Sequence, residues 1–264
     1  MPVLDEKGVC RLSVVPVRTK PLDSSEMVTQ LLFGEHYSVV EESNRGKWVR
    51  IKIYFDGYEG WIDKKQHYLI TEDYFDQINS TDYKVCLDRS TTILFKKHTI
   101  SILMGSVLPI AATELFKVEE QLAFNGESKS LGEVWPFDRL KLIALKYLNT
   151  PYLWGGKTPY GIDCSGFTQM VYKVAGYRLE RDSAQQCNQG HKVTTLADAV
   201  PGDLCFFGTK TKTDHVGILL ENKRIIHASG FVRIDDIEDE GIINKDNGMK
   251  SHSLNSIRRI IKLA

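Results

Sequence analysis

The sequence has no surplus of either charge: 34 Lys and Arg stand against 34 Asp and Glu in 264 residues, a formal net charge of zero. Without a basic excess there is no general pull toward nucleic-acid phosphate or an acidic membrane, so no nucleic-acid partner is expected. Long apolar runs are also missing. His215–Leu220 is typical of the longest, far short of the roughly 18 residues that cross a bilayer, so no membrane span is expected. The first twenty residues carry Asp5 and Glu6 and no apolar stretch of the kind a secretory leader needs. A cytoplasmic location is expected, with an exported form left open if a longer precursor carries a leader. There is no C-x-x-C pair, and the five cysteines, at positions 10, 86, 164, 187 and 205, are an odd set. Both facts argue against a disulfide framework and a zinc ribbon. What is present is an ordinary globular composition, 42% hydrophobic by a count that includes Tyr. At roughly 150 residues per domain the length suggests about two domains, with one or three also allowed.

Residues 1–70 contain short strand-like runs at Arg11–Val17, His36–Glu41, Lys47–Ile53 and Tyr58–Asp63. In the third, Val49, Ile51 and Ile53 alternate with Trp48, Arg50 and Lys52, the period-two signature of a half-buried strand. Asp56-Gly57 then marks a hairpin turn. This block reads as a small β-barrel. The polar stretch Thr71–Asp82 leads to further runs at Lys84–Leu87, Thr92–Phe95, Ser106–Ile110, Glu114–Glu119 and Gln121–Phe124. They match the first block in length and texture but show no residue-level repeat, so residues 71–133 read as a second small β module. At Pro136 the pattern changes. Leu140, Ile143, Ala144, Tyr147 and Leu148 recur at helical spacing, with Pro136 suited to a first helical position. Residues 134–264 therefore read as a mixed α+β domain. Asn149-Thr-Pro151 ends that helix, and Trp154–Gly161 is turn-rich. A second helix starts at Cys164 with Phe167, Met170, Val171 and Val174 on one apolar face and Gly176 placed to end it. Strands are expected at Leu204–Phe207, His215–Leu220 and Arg224–Ala228.

Cys164 lies in Gly161-Ile-Asp-Cys-Ser-Gly166, where a loop turns into the first turn of an amphipathic helix. Unpaired amides and the positive end of the helix dipole favour thiolate there, so an ionised sulfur is expected. The Asp163 carboxylate opposes this by its charge and, as an N-cap, has a geometric role. The bland reading is a buried structural cysteine, but Cys164 precedes the apolar face instead of lying within it. A thiol nucleophile needs a base. Val216, Ile218 and Leu220 form one face of their strand, which puts His215 on the other; Ile226 and Ala228 do the same for His227. If Glu221-Asn222-Lys223 is a three-residue hairpin loop, Ile218 pairs with Ile226 and Gly217 with His227. The two histidines then share a face within about 7–8 Å at Cα. His227 would orient the His215 ring. Two exposed surface histidines are the bland alternative. A zinc site from Cys164, His215 and His227, with His191 as a fourth ligand, has suitable ligand types, but its intervals match no compact motif. Cys187 and Cys205 have no nearby base and read as structural, and Lys210–Asp214 reads as a solvated loop.

Taken in order, Tyr152-Leu-Trp-Gly-Gly156, Asp163-Cys-Ser-Gly166, Pro201-Gly-Asp-Leu204, Asp214-His-Val-Gly217 and Ile226-His-Ala228 resemble the NlpC/p60-type cell-wall cysteine peptidases. The resemblance spans roughly residues 135–264 and implies a papain-like α+β core with Cys164, His215 and His227 as the triad and Tyr152 as an oxyanion donor. It narrows to a subgroup with two N-terminal bacterial SH3-like barrels, similar to γ-D-glutamyl-L-diamino acid dipeptidyl peptidases of murein-peptide recycling. That likeness implies a murein peptide substrate, L-Ala-γ-D-Glu-L-Lys or the meso-diaminopimelate form, bound through a free N-terminal amine. Asp182 and Ser183 match the segment that would hold the amine, and Glu26 and Tyr58 are the candidates from the first barrel. Trp154 is expected to wall the pocket, and Asp163 and Ser165, flanking the thiol, complete the substrate-binding candidates. No metal or cofactor is implied. The rival expectations are an exported endopeptidase acting on intact cell wall and a non-catalytic peptide-binding protein.

Overall fold

The computed structural model describes residues 6–111, 116–117, 121–209, 211–221 and 223–261. The chain divides into two compact units, Met1–Glu133 and Val134–Ala264.

The first unit is built from strands. β1 (Glu6–Val9), β2 (Val14–Arg18), β3 (Met27–Leu32), β4 (His36–Glu42), β5 (Trp48–Ile53), β6 (Glu59–Asp63) and β7 (Leu69–Ile70) form one sheet in the order 3-2-6-5-4-1-7. The alternation in β5 works as its sequence demands: Val49, Ile51 and Ile53 enter a core with Val15, Val17, Leu31, Tyr37, Val39 and Ile62. At the hairpin after β5, Gly57 takes φ +70° and the Asp56 carboxylate accepts the Tyr58 amide at 3.0 Å. The polar stretch after β7 is not a plain connection. It contains helix α1 (Glu72–Ser80), whose Thr71 cap accepts the Tyr74 amide and whose Phe75 and Ile78 are buried. Two apolar residues one turn apart are enough to dock a short helix, and they are too few to stand out as a periodic pattern.

Seven more strands follow: β8 (Tyr83–Cys86), β9 (Ser90–Phe95), β10 (His98–Leu103), β11 (Val107–Ala111), β12 (Phe116–Lys117), β13 (Leu122–Phe124) and β14 (Ser128–Ser130). They pair as two small sheets, 10-9-13-12 and 11-8-14, over a core of Cys86, Ile93, Phe95, Ile102, Leu108, Ile110 and Leu122. Of the run expected at 114–119, β12 alone lies among the described residues; the rest falls outside them. Phe33 of the preceding block enters this second core, and its carbonyl accepts the Val107 amide at 2.8 Å.

The second unit opens with α2 (Phe137–Lys146), for which Pro136 is the N-cap and not the first helical residue. Asn149, at φ +65°, carries the chain out of it. A short ladder of β15 (Lys157–Thr158) and β16 (Gly161–Ile162) precedes α3 (Cys164–Val174) and α4 (Ser183–Gln186). The remaining strands are β17 (His191–Val193), β18 (Leu204–Thr209), β19 (Lys212–Leu220), β20 (Arg224–Ser229), β21 (Phe231–Glu238), β22 (Gly241–Ile243) and β23 (Lys250–Arg259). They pair in the order 17-23-18-19-20-21-22, and a further pairing of β22 with the first part of β23 curls the sheet into a ring. Every residue of α3 is buried, so this helix is covered all round rather than on one face. One face of the sheet carries a core of Cys205, Phe207, Leu219, Ile225, Ile237, Ile242 and Ile257. Because β19 is buried on both faces along His215–Leu220, the face opposite Val216 and Ile218 is a second interior and not a solvent surface.

Candidate active site

The loop before α3 is folded around Asp163. This residue is the N-cap, its side chain accepting the Gly166 amide at 2.6 Å, while its other oxygen accepts the Gly155 amide at 2.8 Å. The backbones run so close that a Cβ on Gly166 would stand 2.3 Å from the Gly156 carbonyl oxygen, and one on Gly156 2.4 Å from that of Gly161. Only glycine fits either position. Arg181, itself 1% exposed, grips both Asp163 oxygens, at 3.0 and 2.6 Å, and donates to the Ser165 hydroxyl at 2.9 Å. Asp163 and Ser165 flank the thiol in this loop. Both are buried, with the carboxylate committed to Arg181 and two loop amides and the hydroxyl to Arg181. They hold the loop that presents the thiol.

Cys164 starts the helix and is 6% exposed. The backbone amides of Val216 and Ser165 face its sulfur and, with Arg181, favour the thiolate, but burial first and the Asp163 charge second outweigh them and push the thiol up to about 12. Burial and the Asp163 carboxylate thus oppose the thiolate that the helix start was expected to favour. All five cysteines are free.

The histidines meet as the strand register requires. Gly217 pairs with His227 and Ile218 with Ile226. His215 and His227 are 6% and 1% exposed, which removes the surface-histidine alternative. His215 Nε2 lies 2.8 Å from His227 Nδ1, and His227 Nε2 lies 3.0 Å from Asp235 Oδ2. A carboxylate oxygen only accepts, so His227 donates from Nε2 and accepts at Nδ1. His215 must then donate from Nε2, which leaves its Nδ1 lone pair bare as a base. Burial, then His227 and His252, hold the His215 imidazolium well below the usual histidine range.

Asp235, on β21, was not foreseen. Burial would raise its carboxyl, but hydrogen bonds from His227, the Lys245 amide and Arg233 win and hold it below the usual carboxylate range. Its signal in the sequence is weak: Asp235 stands in step with Ile237 at period two, a carboxylate where the pattern calls for an apolar side chain. His252, on β23, was missed as well. Its ring stacks on His215, centroids 4.1 Å apart and planes 21° from parallel.

A cavity of about 520 Å³ opens beside His215, lined also by Tyr152, Asp214, Ser229, Ser251, His252 and Ser253. Burial, then the neighbouring Cys164 and Asp163, raise the Tyr152 phenol above its ordinary value, so it remains a hydroxyl donor. Trp154 is 60% exposed and is not among the residues lining this cavity. Asp182, half-buried, is the N-cap of α4, its amide donating to Gln185 Oε1 at 3.1 Å, and Ser183 is the first residue of that helix; neither lines the cavity. Glu26 is exposed just before β3, and Tyr58 packs against the first β core. Among the described residues no three His, Cys, Asp or Glu are grouped to hold a metal, and His191 is exposed on β17. Together the groups supply a thiol, a base with a defined lone pair and a phenolic donor, the requirements of acyl transfer through sulfur.

Residues 149–250 match the NlpC/P60 family, and residues 17–66 match the bacterial dipeptidyl-peptidase SH3 domain. The chain is 29% identical over 220 residues to a γ-D-glutamyl-L-lysine dipeptidyl-peptidase of Bacillus subtilis (76% of this chain, 71% of the relative). It is 26% identical over 261 residues to the protein of the same name from Bacillus cereus (87% and 76%). The crystal structure of an NlpC/P60 family protein from Bacillus cereus superposes with a TM-score of 0.80 at 21% identity, covering 96% of this chain and 99% of that one, which establishes the fold. The chain thus carries an NlpC/P60 cysteine peptidase domain in residues 149–250, behind a bacterial dipeptidyl-peptidase SH3 domain in residues 17–66.

Proposed function

We infer that this protein hydrolyses the γ-D-glutamyl–L-diamino acid bond of peptidoglycan-derived peptides and releases L-Ala-γ-D-Glu. The observation that carries the reading is the line Asp235–His227–His215, which leaves a bare imidazole nitrogen in a unit whose one helix-start cysteine faces the amide next to His215. His215 Nδ1 takes the Cys164 proton as the sulfur attacks the glutamyl γ-carbonyl. Tyr152 and a backbone amide donate to the oxyanion. His215 then gives its proton to the leaving amine of the diamino acid, the C–N bond breaks, and a thioester remains. Water, deprotonated by His215, attacks the thioester, frees the dipeptide and restores the thiol.

Recognition of a free amino terminus belongs to the same proposal, with Asp182 and Ser183 as the residues assigned to it. Sequence similarity to the dipeptidyl-peptidases of Bacillus subtilis and Bacillus cereus over 76% and 87% of this chain supports it. Action on free peptides in the cytoplasm is part of the proposal; recovery of the protein in the cell-wall fraction would speak for the endopeptidase reading. Mass spectrometry of products from L-Ala-γ-D-Glu-L-Lys tests the activity. Wild type is expected to yield L-Ala-γ-D-Glu and lysine, Cys164→Ala none, and the N-acetylated peptide is expected to be a poor substrate. Intact peptide with wild type, or full turnover by Cys164→Ala, contradicts the reading.

A further inference from the structure

The cavity beside His215 has an end that the proton relay does not use, formed by Asp214, Ser251, His252 and Ser253. Two β-bulges build it. Between β18 and β19, Phe207 pairs with His215 and Gly208 with Thr213, leaving Asp214 as the extra residue. Between β22 and β23, Ile242 pairs with His252 and Ile243 with Lys250, leaving Ser251 as the extra residue. A bulge re-aims a side chain that regular pairing would send elsewhere. Gly208, at φ +139°, makes the first one possible: a Cβ there would stand 2.2 Å from the Lys212 carbonyl oxygen and 3.2 Å from Asp214 Oδ1. Among the described lining residues Asp214 is the one charged whatever the state of the histidines, with no lysine or arginine beside it.

We propose that this end of the cavity receives the leaving diamino acid and that Asp214 holds its distal ammonium. The inference rests on the proposed function, which puts the diamino acid on the side away from Asp182 and Ser183. A lone carboxylate beside serine hydroxyls complements an ammonium and repels the free carboxylate of the glutamyl residue, so it also sets the direction in which the peptide lies. L-Lys and meso-diaminopimelate both carry the ammonium it would bind. An apolar residue of equal length does not.

The test compares kcat/KM for L-Ala-γ-D-Glu-L-Lys with that for the same peptide ending in L-norleucine, which keeps the chain and lacks the ammonium. Wild type is expected to favour lysine by up to about fivefold, as an exposed ion pair allows, with the preference shrinking as salt is added. In Asp214→Asn the ratio is expected to fall to near unity, and in Asp214→Glu to be restored. Because the ratio is taken within one enzyme, a general loss of activity cancels. A ratio near unity in wild type, or one unmoved by Asp214→Asn, overturns the subsite while leaving the proposed function in place. No turnover of either peptide by wild type overturns both.

Discussion

Two buried carboxylates, Asp163 before α3 and Asp235 on β21, are each held by an arginine, one on the thiol side of the site and one on the imidazole side. Arg181 meets Asp163 at 2.6 Å, and Arg233 meets Asp235 at 2.8 Å. The remaining bonds differ. Among the described residues Asp163 accepts from Arg181, Ser165 and the amides of Gly155 and Gly166, so its lone pairs are committed to the fold of the loop. Asp235 accepts from Arg233 and the Lys245 amide, and one oxygen also takes His227 Nε2–H. That single bond fixes the tautomer of two imidazoles in succession. Charge and burial are alike at the two positions; where the lone pairs point separates a brace from a proton-positioning group.

Substitutions can break this contrast. The largest effect is expected at Asp163→Ala, which takes the paired carboxylate away from the buried Arg181 guanidinium, at a cost of about 3–5 kcal/mol; urea unfolding should show it, and an unchanged midpoint would mean that Asp163 is no brace. Asp235→Asn is expected to lower the unfolding midpoint at pH 7 as well, by less than Asp163→Ala, because it removes a carboxyl whose folded state is stabilised at that pH, and to lower kcat by about 10²-fold or more, with little change in KM, because the amide no longer enforces the tautomers. Its loss should also flatten stability against pH. The folded carboxyl lies below its unfolded value, near 3.9, so its contribution is present above that value and disappears as pH falls through the folded one. Ser165→Ala removes one bond to Arg181 and is expected to cost about 1 kcal/mol. The smallest effect is expected at His252→Phe. His252 helps hold the His215 imidazolium down, so its removal should move the acid limb of kcat/KM to higher pH; movement to lower pH would contradict the stacking account.

The thiol side was readable in the sequence because a helix start, a glycine-rich loop and an apolar 3.6-residue period coincide at Cys164. The pairing of His215 with His227 followed from two period-two strands and a short hairpin. Asp235 and His252 were hidden because Phe231–Glu238 is interleaved with charged residues and Lys250–Arg259 with serine and asparagine, so neither strand has an apolar run to announce it. α1 was hidden for a related reason, its buried face being reduced to Phe75 and Ile78. The ionisation state of Cys164 could not be read from position along a helix, since it depends on Asp163 and on burial by elements distant in sequence.

The central claim is that the resting pair is neutral, the proton staying on sulfur while His215 offers Nδ1. Nitrogen-15 NMR of the histidine rings in free wild-type enzyme at neutral pH tests it most directly. Protons on Nε2 of both His215 and His227, with both Nδ1 atoms bare, are the predicted result. A His215 ring protonated on both nitrogens, or on Nδ1 alone, would contradict the account.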